Sequence, residues 1–449
     1  MGKGTSLIYS DRTDVGCRRA SNQDAKSVVP PSSPQQYRLR GWLFLVADGM
    51  GAHAAGELAS GIAAERVPLA YEKSAQRSPP LALRRSIEQT NAEINAKGES
   101  AAEFHGMGTT CTAVVLLPRG VLVGHIGDSR AYRVRGRTIE QLSRDHSLVW
   151  ELELAGGMSR EEAAVSAPKN IITRSMGPHP HVDVDIEGPH PVEEGDTFVL
   201  CSDGLSGQVA DDEIGLFAAE LEPREATAAL VGLALVRGAP DNVTVIVARA
   251  GAEEVSKRAG GDEPWPLSEE PVAMTGRAAV PWKWLLLAAG SLFAALVLVG
   301  LVGDVGVALN GPVQLTTIVP LFLAGAAALT FVGSLLAAFL GFLAPAGGTG
   351  RVLLPGGKLG KAPYRTSDCT PSAGLVERIV ASIETAAAGL PDSERERVTL
   401  LLGRIRRHLV EGAFHEAVFA VAEAIAIHVR AVDRARSGDT IRSPTPTDA

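Results

Sequence analysis

Apolar residues in the first 252 positions follow two rhythms. Short runs at 42–47, 110–117, 121–126, 131–135, 196–201 and 243–248 have the length and β-branched content of strands. Stretches at about 54–70, 79–97 and 225–236 carry helical spacing, and Pro79-Pro80 suits the first turn of the second. Tight turns such as Pro118-Arg119-Gly120 join neighbouring strands, which predicts antiparallel hairpins and an α+β fold. Periodicity then lapses over 253–280, where Pro, Gly and charge mark a linker. Two apolar runs follow, Trp284–Val302 and Ile318–Leu343, neither holding a charged residue. About 20 such residues at ~1.5 Å each cross a ~30 Å hydrocarbon core, so 281–344 is predicted to hold two transmembrane helices. Residues 345–373 read as a second linker. Helical spacing returns over 374–436, in stretches of about 375–388, 392–411 and 414–436, broken at Leu390-Pro391-Asp392 and Glu411-Gly412-Ala413. This last region is expected to be a small helical bundle for homodimerisation or partner docking, and 437–449 a disordered tail.

The chain has 449 residues and a formal charge of −8, which argues against a nucleic-acid partner. Its cysteines, Cys17, Cys111, Cys201 and Cys369, form no C-x-x-C pair and suggest neither a disulfide framework nor a zinc site. They read as free thiols in a reducing compartment. Cys201 sits beside Ser202-Asp203, but its strand context predicts a buried, inert thiol rather than a nucleophile. Residues 1–16 have no apolar core of the signal-peptide kind. Trp282 and Trp284 beside Lys283 suit an interfacial anchor. The loop between the apolar runs has no Lys or Arg, whereas Arg277, Lys283, Arg351, Lys358, Lys361 and Arg365 flank them. The expected topology is therefore multi-pass in the cytoplasmic membrane with both termini cytoplasmic.

Five separated aspartates carry the chemistry: Asp24, Asp48, Asp128, Asp203 and Asp241. Asp48, Asp128 and Asp203 lie just beyond apolar strand-like runs, and Asp241 just before one. An isolated Asp-Gly is usually a turn. Several carboxylates at strand ends of one fold can instead converge on hard divalent cations.

Read with their neighbours, these positions resemble the metal-dependent serine/threonine protein phosphatases of the bacterial PPM (protein phosphatase 2C) type. The resemblance runs from about Ser10 to about Ala248. It is carried by D-V-G-C-R-R-A-S-N-Q-D at 14–24, V-A-D-G-M-G-A-H-A-A-G-E at 46–57, G-T-T at 108–110, G-D-S-R-A-Y at 127–132 and L-S-R-D-H-S at 142–147. N-I-I-T-R-S-M-G at 170–177, C-S-D-G-L at 201–205 and D-N-V-T-V at 241–245 complete it. It implies two stacked antiparallel sheets flanked by helices (an αββα sandwich) over 1–252.

It also implies Mn²⁺ or Mg²⁺ as cofactor, with two core ions and a third weaker one. Asp48 would bridge the core pair, the Gly49 carbonyl would join one ion, Asp203 and Asp241 the other, and Asp128 with Asp203 the third. Asp24 would hold water, Arg19 would clamp phosphate, and His53 would protonate the leaving oxygen. Hydroxide activated by the ions would attack phosphorus in line. Gln23 stands where many members have Glu, and Ala52 where Gly is frequent. Segment 147–170 matches the position of the family's substrate flap. His146 reads as structural, and Asn242 as orienting Asp241. The expected partners are phosphorylated cytoplasmic proteins, an opposing Ser/Thr kinase and the membrane. The alternative is a catalytically silent membrane-bound sensory or scaffold module acting through the C-terminal bundle.

Overall fold

The computed structural model describes residues 7–51, 54–156, 162, 171–251, 264–269, 282–303, 315–343 and 351–437. The first half of the chain is built around two antiparallel sheets. The strands, in chain order, are β1 (Leu7–Asp14), β2 (Asp24–Val29), β3 (Trp42–Met50), β4 (Gly108–Thr109), β5 (Cys111–Leu117), β6 (Gly120–Ile126), β7 (Arg130–Arg135), β8 (Thr138–Gln141), β9 (Asp185–His190), β10 (Thr197–Cys201), β11 (Val243–Ala250) and β12 (Arg365–Asp368). One sheet has the order β1-β11-β10-β7-β8-β12; the other runs β2-β3-β5-β6-β9, with β4 paired to β3. The helices of this half are α1 (Pro34–Arg40), α2 (Ala55–Lys73), α3 (Pro79–Ser100), α4 (Leu148–Leu154), α5 (Asp203–Ser206), α6 (Asp211–Glu220) and α7 (Pro223–Val236).

Period-two alternation explains the layering. In β3, Trp42, Phe44 and Val46 join the core between the sheets, while Leu43, Leu45 and Ala47 face the core under α2 and α3. In β11, Ile246 and Ala248 point between the sheets, and Val243, Val245 and Val247 point the other way, toward α6 and α7. Strands buried on both faces read as continuous apolar runs, which is why these two were legible in the sequence. The αββα sandwich predicted for this half is the fold observed.

Two further helices, α8 (Trp282–Gly303) and α9 (Leu315–Leu343), form a separate unit with residues 266–352. They pack on one another and are long and apolar enough to cross a membrane. Small side chains, Ala288, Ser334 and Ala338, are buried. The loop between them, most of 253–280 and the tail beyond 437 lie outside the described residues.

The last three helices are α10 (Ala373–Ala387), α11 (Asp392–Glu411) and α12 (Phe414–Ser437). The sequence sets them apart as a bundle; in the structure they share one apolar core with α6, α7 and the outer face of the β1-to-β12 sheet. Leu375, Ile379 and Ile383 of α10 and Val418, Val421 and Ile425 of α12 are buried in it beside Leu230, Val231 and Leu233 of α7. Polar contacts rim the seam: Arg237 Nε donates to Ser382 Oγ (3.1 Å), His415 Nδ1 meets Glu220 (2.8 Å), and Arg378 pairs with Asp212. The second linker also does more than connect, because Arg365–Asp368 pairs with β8 as the edge strand β12. Its R-T-S-D sequence shows no apolar alternation, and an edge strand half in solvent needs none.

Gly232 lies where α7 packs tightly against α12. A Cβ placed there would lie 2.4 Å from Ile425 Cγ2 and 3.0 Å from Val429 Cγ2. Gly232→Leu is expected to force the helices apart and lower stability by about 1–3 kcal/mol, read as a lower denaturation midpoint.

Candidate active site

The five aspartates come together at one end of the sandwich, each on a different element. Asp24 opens β2 and is the cross-strand partner of Asp48 in β3. Asp48 is fixed from both sides: its N–H donates to Thr110 Oγ1 (2.8 Å), and its carbonyl accepts from the Thr110 N–H and the Thr109 hydroxyl (both 2.9 Å). Thr110 in turn bonds Ser129 Oγ at 2.8 Å, tying β3 to the turn that carries Asp128. His146 holds the same turn. Its Nδ1 accepts the Gly127 N–H (3.0 Å), and its backbone N–H donates to the Gly127 carbonyl (2.8 Å). The ring proton therefore sits on Nε2, 3.0 Å from Asp185. Burial keeps this imidazole below its usual pKa.

Asp203 begins α5 directly after β10 and Ser202. The Ser202 hydroxyl donates to Asp24 (2.8 Å) and accepts the Thr244 N–H (3.0 Å), so β2, β10 and β11 meet at one side chain. Asn242 ties the loop bearing Arg19 to β11: its amide donates to the carbonyls of Val15 (2.9 Å) and Ser21 (3.0 Å), and its oxygen accepts the Gln23 N–H (2.8 Å). Its own N–H binds Asp241 Oδ1 at 2.9 Å. Arg19 reaches Asp241 Oδ2 at 2.7 Å with its guanidinium side chain half exposed. The glycines after two of the acids serve close packing. A Cβ on Gly49 would lie 2.1 Å from the Gly56 carbonyl, and one on Gly204 1.9 Å from that of Asn242.

The electrostatics of this cluster are strained in one direction. Burial, joined by the Asp203 charge, pushes Asp24 up to about 7 and Asp128 up to about 8. Asp48 is driven well above the carboxylate range by burial and then by Asp24, Asp203 and Asp128. Asp203, within hydrogen-bonding reach of Asp48, is raised by burial and by Asp241. One carboxyl oxygen each of Asp24, Asp128 and Asp203 is buried without a hydrogen-bond partner. Buried like charges with orphaned oxygens are costly unless positive charge stands among them.

The donor set therefore fits hard divalent cations. It is all oxygen, which suits Mg²⁺ or Mn²⁺ rather than soft metals. Among the described residues no three acidic, His or Cys side chains close round a single point as a full cage. Mg²⁺ is commonly held by one or two carboxylates and keeps several waters. A cleft of about 470 Å³ opens beside the acids, lined by Asp128, Arg130, Asp145, Trp150, Asp203, Asp241 and Arg365 among others. Arg130 is neutralised there by a two-pronged contact with Asp145 (2.6–3.0 Å).

Arg19, Asp24, Asp48, Gly49, Asp128, Asp203 and Asp241 are thus all at this end of the fold. His53 and Ala52 lie outside the described residues, as does most of the expected flap; its first part forms α4. Cys201 is fully buried, its thiol pushed up to about 12 by burial, and no cysteine is paired. Ser129, Ser202 and Thr244 have no role in the sequence reading, and Arg365 only that of a membrane flank. Ser129, Ser202 and Thr244 do stand inside the motifs, but Arg365 had no signal beyond its charge.

A sequence model of the protein phosphatase 2C family matches residues 18–233. The serine/threonine phosphatase stp of Listeria monocytogenes is 34% identical over 241 residues, 53% of this chain and 93% of that protein. The protein phosphatase PhpP of Streptococcus pneumoniae is 34% identical over 247 residues, 54% of this chain and 97% of its own length. A crystal structure of a bacterial serine phosphatase carrying a point mutation matches with a TM-score of 0.50 at 33% identity, covering 55% of this chain and 99% of that one.

Proposed function

Since the chain belongs to the protein phosphatase 2C family and is a protein-serine/threonine phosphatase, we propose that it dephosphorylates cytoplasmic phosphoproteins from a membrane-anchored position, opposing Ser/Thr kinases there. The observation that carries the chemistry is the cluster of buried, mutually repelling carboxylates with three unpartnered oxygens.

Asp48 with the Gly49 carbonyl, and Asp203 with Asp241, would hold two Mn²⁺ or Mg²⁺ ions, and Asp128 with Asp203 a third. Such ions supply charge neutralisation on phosphoryl oxygens and a lowered pKa for water. The protein groups do the rest. Arg19 binds the phosphoryl oxygens through its planar fork, at the edge of the cluster where it reaches Asp241. Asp24, oriented by Ser202, accepts a hydrogen bond from the attacking water and so aims it. Asn242 keeps the Arg19 loop and Asp241 in register. His53 donates the proton that the leaving Ser or Thr oxygen requires. Ser202, Thr110 and His146 hold the acids in place.

Arg19→Ala is expected to lower kcat/KM on a phosphothreonine peptide by about 10–100-fold, the loss of charge-assisted bonds to phosphate. Arg19→Lys should recover only part, because an ammonium cannot form the fork. Steady-state kinetics on the full-length protein in detergent, with Mn²⁺, checks both. Unchanged kinetics in Arg19→Ala would remove the clamp assignment.

The membrane reading rests on the length and apolarity of α8 and α9. The flanking Lys and Arg residues favour both termini in the cytoplasm. Tethering would raise the enzyme's effective concentration near membrane-bound substrates.

A further inference from the structure

Residues 359–368, which follow the apolar helices in the chain, run along the open side of the sandwich and engage both sheets. Leu359 exchanges backbone hydrogen bonds with Gly188 of β9 (2.6 and 3.0 Å). The Ala362 N–H (3.0 Å) and the Tyr364 hydroxyl (2.6 Å) both bind Glu187, a β9 carboxylate only 3% exposed. The Tyr364 N–H then donates to Gln141 of β8 (2.9 Å), and β12 continues that pairing. The next side chain, Arg365, belongs to the wall of the cleft that holds Asp128, Asp203 and Asp241. Its guanidinium carbon lies 3.8 Å from the centroid of the Trp150 ring, and it pairs with Glu153. Both partners sit on α4, and Trp150 is itself buried and meets Tyr364 edge-on at 6.2 Å.

We propose that Arg365 is a positioning residue for the phosphopeptide. By clamping Trp150 and Glu153 it fixes the cleft wall against which the chain flanking the phosphorylated residue lies. The segment behind the apolar helices thereby completes the substrate cleft of the domain ahead of them. This rests on the phosphatase function proposed above and adds to it the source of the peptide-binding wall. A stacked guanidinium with an ion pair is a rigid support for a short helix, and α4 has only two turns of its own.

The test uses full-length protein in detergent with Mn²⁺, comparing a phosphothreonine peptide with p-nitrophenyl phosphate, which has no flanking chain. Arg365→Ala is expected to raise KM for the peptide about tenfold with kcat within twofold. The peptide-to-small-substrate ratio of kcat/KM should fall by the same factor. Arg365→Lys, which keeps charge but loses the fork, should fall between, and Glu153→Gln, which leaves β12 untouched, should move the ratio the same way. An unchanged ratio in both Arg365→Ala and Glu153→Gln, or equal losses on the two substrates, would overturn the positioning role while leaving the phosphatase intact. Wild-type protein inert on both substrates would instead overturn the phosphatase reading and this inference with it.

Discussion

Asp203→Asn is expected to lower Mn²⁺-dependent turnover of a phosphothreonine peptide by at least about 10³-fold without unfolding the chain. Asp203 interacts with the other acids of the cluster. It reaches Asp48, and its charge raises Asp24, Asp48 and Asp128. An amide there keeps the shape but removes a charge that a cation would otherwise neutralise, so Mn²⁺ affinity should fall together with activity. The same change relieves repulsion in metal-free protein. Its thermal midpoint in EDTA should therefore rise, not drop. Loss of activity with a lowered midpoint would mark ordinary structural damage, and full activity would remove Asp203 from the metal site. Mn²⁺ titration followed by calorimetry, beside circular-dichroism melting, separates these outcomes.

A chain ending at residue 352 is expected to lose the stable fold of its first half. In α7, nearly every residue from Ala226 to Val236 is buried, and α10 and α12 supply much of what covers it. Burying one Leu, Ile or Val side chain contributes about 1.5–3 kcal/mol, whereas a whole domain is stable by about 5–15 kcal/mol. Uncovering Leu230, Val231, Leu233 and their neighbours therefore removes a large share of that margin. The truncated protein should aggregate, or be cleaved by trace protease under conditions that leave the full chain intact. A monodisperse truncated protein melting within a few degrees of the full chain would contradict a shared core. The same geometry places Arg436 of α12 on Asp14 (3.0 Å) and on the Gly16 carbonyl (2.5 Å), three residues before Arg19. The C-terminal helices thus also brace the loop that carries the phosphate clamp.

The two halves of this picture were unequally visible in the sequence. Asp48, Asp128, Asp203 and Asp241 stood out because strand ends and Asp-Gly turns leave local marks. β3, β5, β6, β10 and β11 stood out because burial on both faces makes uninterrupted apolar runs. β1 and β2 did not, being only partly buried strands of mixed composition. The scaffold around the acids was illegible for a different reason. Ser202 meets Asp24 across 178 positions, and Gln23 meets Asn242 across 219, so no spacing rule links them. His146 reads as structural in the sequence, and the structure supplies what it holds: the Gly127 turn under Asp128. The C-terminal helices were predicted almost to their observed ends. An apolar stripe says that a helix face is covered, not by what, and here the cover is α7. For Arg365 the chain offered only a charge beside an apolar segment, which reads as a membrane flank; the fold puts it at the cleft.

The most direct measurement is phosphate release from a phosphothreonine peptide by metal-stripped, full-length protein in detergent, titrated with Mn²⁺. The expected result is no turnover without metal, a saturable rise with Mn²⁺ and full reversal by EDTA. Turnover that survives complete metal removal, or none from folded protein at saturating Mn²⁺, would contradict a metal-dependent phosphatase centred on these aspartates.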